Sequence, residues 1–140
     1  MAACDCHEDC TAHNAAQAAY DAAQAAYEAA VIRCEQAQDL VNQLAEERDK
    51  LTDLQAHFDA TAGAIEAAGT TIWSDANQAE FQKGLDCLTN YGNALTAAEN
   101  SAKAELEAAE AQKAECAAAR DAAKATLDAT PCVTVCSGEC

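Results

Sequence analysis

AAQAAYD at residues 15–21 is followed at once by AAQAAYE at 22–28, a heptad repeated almost without change. Seven residues make about two turns of helix, so side chains seven apart stack in rows along one face. Counting on by sevens, Tyr20 leads to Tyr27, Cys34 and Val41. A second row runs Ala16, Ala23, Ala30, Ala37, Leu44, Leu51, Phe58 and Ile65. Together the rows form an apolar stripe of coiled-coil width and predict a helix over 12–69. Thr11 is placed to cap it, and Gly69 suits the position just past its end.

A second helix is expected over 76–130. Its stripe is Phe81, Leu85, Leu88, Leu95, Ala102, Leu106, Ala109, Cys116, Ala123 and Leu127. Ser74 or Asp75 can cap it, and Asp75 with Gln78 resembles a capping box. Glu46 with Lys50 and Glu99 with Lys103 have the spacing of favourable i,i+4 pairs. The chain has one proline, Pro131, which ends the helix and leaves CVTVCSGEC as an irregular tail. Residues 70–75, which include Trp73, read as the turn.

Two long helices joined by so short a link fold back antiparallel. The fold class is therefore all-α, an Ala-rich, coiled-coil-like hairpin, and by length the 140 residues form one domain. At 1.5 Å per residue each helix is roughly 75 Å long. Both termini, the Cys-rich segments 1–11 and 131–140, fall at one tip of this rod, with Trp73 at the other.

The nine cysteines are concentrated at that tip. In an antiparallel hairpin, facing residue numbers have a constant total. Cys34 with Cys116, and Cys10 with Cys140, share the total 150, which centres the turn near residue 75. This register sets Tyr27 against Ala123 and Leu44 against Leu106, and predicts a Cys34–Cys116 disulfide. The alternative for those two is a pair of buried free thiols. At the tip, Cys4, Cys6, Cys10, Cys132, Cys136 and Cys140 are expected to form disulfides, with 15 pairings open. The rival reading is a thiolate metal site drawn from those six cysteines with His7 and His13. Cys87 is the odd thiol, either an intermolecular cross-link or free and inert. His57 reads as a solvated or packing histidine.

Composition narrows the function classes. Thirty-nine residues are Ala and aromatics are 4%, so the core buries little area per residue and calls for cross-links or partners. The net charge of −16 argues against nucleic acid and anionic membrane surfaces. No run is long and apolar enough to cross a membrane. The first 30 residues lack a basic region followed by an apolar one, so no secretory signal is read. Cysteine content nonetheless points to an extracellular or other oxidising compartment. A removed leader, leaderless export, or a cytoplasmic protein with reduced or metal-bound thiols would each reconcile the two.

No Gly-x-Ser-x-Gly, phosphate-binding loop or His-Glu-x-x-His motif occurs. Cys6–His7 and Cys10–His13 lack a pocket, and the abundant carboxylates read as a solvated face. No enzyme and no cofactor are expected. The helix–turn–helix plan, acidic charge and Trp73 resemble the WXG-type secreted helical hairpins. The turn here reads Trp73-Ser74-Asp75 without the glycine of that motif, the helices are longer and the cysteines are foreign to it. Val31, Ile32, Leu40, Leu54 and Tyr91 flank the stripes beyond what one partner helix covers. The expected function is a disulfide-stabilised structural subunit that self-assembles into a filament, appendage or particle. The alternatives are a secreted helical module or effector binding another protein, and a thiolate metal-binding protein.

Overall fold

The structure, a computed structural model, describes residues 4–69 and 74–138. Residues 70–73 of the expected 70–75 turn, with Trp73, and the terminal Cys140 lie outside the described residues. The element order is strand β1 (Asp5–Asp9), helix α1 (Thr11–Ala68), helix α2 (Asp75–Asp128) and strand β2 (Val133–Ser137). The molecule is an antiparallel two-helix hairpin whose ends are joined by disulfides.

The helix ends follow local chemistry. The Thr11 amide donates to the Asp9 carboxylate at 2.9 Å, and the Asn14 amide to the Cys10 carbonyl at 2.8 Å. Asp9 therefore supplies the capping oxygen two residues before the expected Thr11, which is the first helical residue. Ser74 caps α2, its hydroxyl accepting from the Asn77 amide at 3.2 Å. Gly69 closes α1 at φ +93°, where a side chain would be strained, and its amide donates to the Glu66 carbonyl at 3.2 Å.

The backbone divides into two compact units. One runs up to Glu35 and resumes at Ala108; the other is Gln36–Glu107. In the first, Ala16, Ala30 and Ala109 are buried. In the second, Ala37, Leu51, Leu95 and Ala102 are buried. Every residue of the two expected stripes is buried or half-buried. The α2 row through Leu85, Leu106 and Leu127 is completed by Gly92, Glu99, Lys113 and Arg120, also half-buried. These polar members keep their charged ends wet while their stems cover the seam.

The tail is not irregular. β1 and β2 pair antiparallel, with Cys6 opposite Cys136, His7 opposite Val135 and Asp9 opposite Val133. Val133, Thr134 and Val135 are branched at Cβ and fit a pleated strand. All ten strand residues are exposed, so a two-stranded ladder this small needs reinforcement.

Candidate functional site

The reinforcement is covalent. Cys6–Cys136 and Cys10–Cys132 are disulfides with Cα atoms 4.1 and 4.3 Å apart. Cys4 is also disulfide-bonded. Facing strand residues that exchange no hydrogen bonds lie about 4.5 Å apart, close to the Cα separation at Cys6 and Cys136. Beneath the ladder, His13 Nδ1–H donates to the Thr130 carbonyl at 2.9 Å, tying the first turn of α1 to the chain just past α2.

These bonds leave the metal reading without thiolates at five of its six cysteines. Cys4, Cys6, Cys10, Cys132 and Cys136 are oxidised and offer no thiolate, and His13 is engaged with backbone. His7 stands on β1 beside Val135. Among the described residues, no group of three or more His, Cys, Asp or Glu is arranged to hold a metal ion.

Cys34, Cys87 and Cys116 are free thiols. The expected Cys34–Cys116 bond is absent because the register differs. In the first unit His13 meets Thr130. In the second, Leu51 packs on Gly92, whose place for a Cβ lies 3.4 Å from Leu51 Cδ2. Both pairs of numbers total 143, one heptad below the expected 150. Cys34 is thus level with Ala109 and Cys116 with Tyr27. One heptad is about 10 Å along a helix, whereas a disulfide needs Cα atoms within about 7 Å. Tyr27 meets Arg120, one turn beyond the level Cys116, with the guanidinium carbon 4.2 Å from the ring centre. Leu44 shares a depression with Glu99, not Leu106.

The ion pairs are also redistributed. Glu99 pairs with Arg48, which also donates to the Thr96 hydroxyl at 2.8 Å. Lys50 pairs with Glu47 at 2.9 Å in place of Glu46. The Tyr91 hydroxyl donates to Glu47 at 3.2 Å. The Lys50 contact first, and then the Tyr91 hydroxyl, hold the Glu47 carboxyl below its ordinary range.

That contact locates a second feature. Glu47 lies seven residues after Leu40 and seven before Leu54, so the three form one row on α1, and Tyr91 reaches the same row from α2. Leu40, Leu54 and Tyr91 are 44%, 44% and 46% exposed. Cys87, which is exposed, sits one helical turn before Tyr91. The exposed Ile32 and half-buried Val31 lie elsewhere, in the other unit.

Open depressions line the helices, of 310 Å³ beside Tyr27 and Lys113 and of 260 Å³ beside His57 and Phe58. His57 is exposed, and its carbonyl accepts from the Thr61 hydroxyl at 2.9 Å. No helix among the described residues is long and apolar enough to cross a membrane. The disulfides are consistent with an oxidising compartment. No protein-family model, characterised protein or solved structure matches this chain.

Proposed function

We propose that the chain is a non-enzymatic structural subunit of a filament, appendage or particle, packing against copies of itself outside the cell or in another oxidising setting. The observation that carries this reading is the row of Leu40, Leu54 and Tyr91, three large apolar side chains exposed on one flank of the 36–107 unit. Intrachain pairing leaves these three side chains exposed, with Glu47 between them in the row, and they offer apolar surface to a second copy. Cys87 at its edge supplies a thiol that a neighbouring copy's Cys87 can oxidise with, fixing the contact covalently. The disulfide ladder supports the same reading, since it preserves the hairpin where reductants are scarce.

Sedimentation over a wide concentration range tests it. The protein should associate with rising concentration, and Leu54→Glu should abolish the association while helix content is unchanged. On non-reducing gels a cross-linked dimer should appear and vanish with Cys87→Ser. A chain that stays monomeric throughout rejects self-assembly and leaves the binding of a different protein as the use of this flank.

A further inference from the structure

Gln36, Gln43, Lys50 and His57 stand seven apart on α1, and Leu40, Glu47, Leu54 and Thr61 form the row beside them. Taken together the two rows advance by steps of four and three residues, the spacing of a helix seam. All eight are exposed except the half-buried Glu47, so α1 carries a second seam beside the one that packs on α2. Glu47 and Lys50 are its only charged members, and within the chain they pair with each other at 2.9 Å. Asp39, Glu46, Asp49 and Asp53 stand on other rows of the same helix. Toward one end of the seam, His57, Phe58, Thr61 and Phe81 line an open depression of 260 Å³.

The seam is complementary to itself. When two such seams pack antiparallel, each layer joins one row to the other, and facing numbers keep a constant total. A total of 97 alone places all eight positions in layers. It sets Gln36 on Thr61, Gln43 on Leu54, Leu40 on His57 beside the depression, and Glu47 on Lys50. A two-fold axis makes each of these contacts twice. A parallel pair in register would set Glu47 on Glu47 and Lys50 on Lys50, which like charges oppose. We propose that a second copy docks antiparallel on this α1 seam, with Glu47 of each copy against Lys50 of the other. The proposal rests on the self-assembly reading and adds the orientation and register of the contact. Each ion pair between copies replaces one made within a chain, so the charges set direction while Leu40 and Leu54 supply apolar burial. Asp39, Glu46 and Asp53 border the seam and oppose the approach, a repulsion that salt screens. Cys87 is level with residue 56 of α1 and stands about 22 Å along the axis from its counterpart in such a pair. A Cys87 bond therefore joins neighbouring pairs.

Cross-linking between chains reads the arrangement. Gln36→Cys and Thr61→Cys, each combined with Cys87→Ser, are mixed in equal amounts and oxidised with copper phenanthroline. Their disulfides are mapped by mass spectrometry, and circular dichroism checks that helix content is unchanged. The expected result is a 36–61 bond between chains that exceeds the 36–36 and 61–61 bonds several-fold. An excess of the like bonds, or all three in the proportions of random encounter, overturns the arrangement. So does association in sedimentation with no bond between chains at 36 or 61, since the copies then meet elsewhere. If the Cys87→Ser protein sediments as a monomer at the same concentration, self-assembly itself fails and the arrangement falls with it.

Discussion

Tyr91 and Glu47 show how one exposed contact ties both helices to the same flank. The phenol donates to the carboxylate, which raises the Tyr91 pKa above its ordinary 10.0. On the other partner, the Lys50 contact first and then Tyr91 lower Glu47 below its ordinary 4.5. Glu47, being depressed, contributes stability above its ordinary value and loses it as pH falls through the lowered one. Tyr91, being raised, contributes below its ordinary value and loses it as pH rises through the raised one. The contact is therefore fully present between those ordinary values. Phenolate absorbance, with Tyr91→Phe as the subtraction, should place the Tyr91 titration at lower pH in Glu47→Gln than in the native protein; identical curves would mean the bond is not made in solution. Two glycines offer a second comparison at this scale. Either one replaced by Ala gains about 1 kcal/mol of helix propensity. A Cβ at Gly92 would sit in ordinary contact, 3.4 Å from Leu51, but at Gly84 it would come within 2.9 Å of the Phe58 ring. Phe58 itself packs on Phe81, centroids 5.4 Å apart with the planes tilted by 37°, which restricts its retreat. Gly92→Ala should raise the unfolding midpoint in urea, and Gly84→Ala should leave it unchanged or lower it. Equal gains would show the ring moving freely.

At the scale of elements, the helices were legible because apolar residues recur at a period that only a helix seam uses. Each residue of the two α1 rows is buried or half-buried, and so is each of the α2 stripe. The half-buried Glu99, Lys113 and Arg120 escaped because polarity masks a seam position, although their seven-residue spacing from Leu106 marks it. Register was not legible, since a strict heptad repeats under a shift of seven and the cysteine pair chosen to fix it belonged to the wrong shift. The strands escaped because five residues beside Pro131 and Gly138 carry little pattern; Val133-Thr134-Val135 was the available signal. Of the candidate site, the gathering of sulfur at one end followed from the hairpin, whereas the pairing depended on register. The ladder also makes a quantitative prediction. Cys10–Cys132 spans 122 residues and in the chain-entropy model stabilises by about 5 kcal/mol. Once it is closed, Cys6–Cys136 closes only the short segments on either side, worth about 2.5 kcal/mol in the same model. Replacing Cys6 and Cys136 by Ser should therefore cost about half of what the 130-residue separation alone implies. Denaturant unfolding of this double variant measures it, and a loss of about 5 kcal/mol would mean that neither the Cys10–Cys132 bond nor the Cys4 disulfide closes the chain in solution.

For the whole molecule, 24 acidic residues against 8 basic ones give a charge of −16 that opposes any contact between copies. Association through Leu40, Leu54 and Tyr91 must overcome that repulsion, and apolar burial does not weaken with salt as charge repulsion does. The Debye length falls from about 10 Å at 0.1 M to about 3 Å at 1 M salt. Acid acts in the same direction, because protonating carboxylates brings the charge toward zero near pH 4.2. Self-association measured by light scattering should therefore strengthen as salt rises from low to high concentration, and again as pH falls from neutral toward the isoelectric point. At neutral pH Leu54→Glu should show no such rise with salt, since it adds charge where the apolar contact forms. The opposite salt response, copies separating as ionic strength rises, would assign the contact to ion pairs. It would then turn attention from a second copy to a basic partner, for which so acidic a surface is the natural complement.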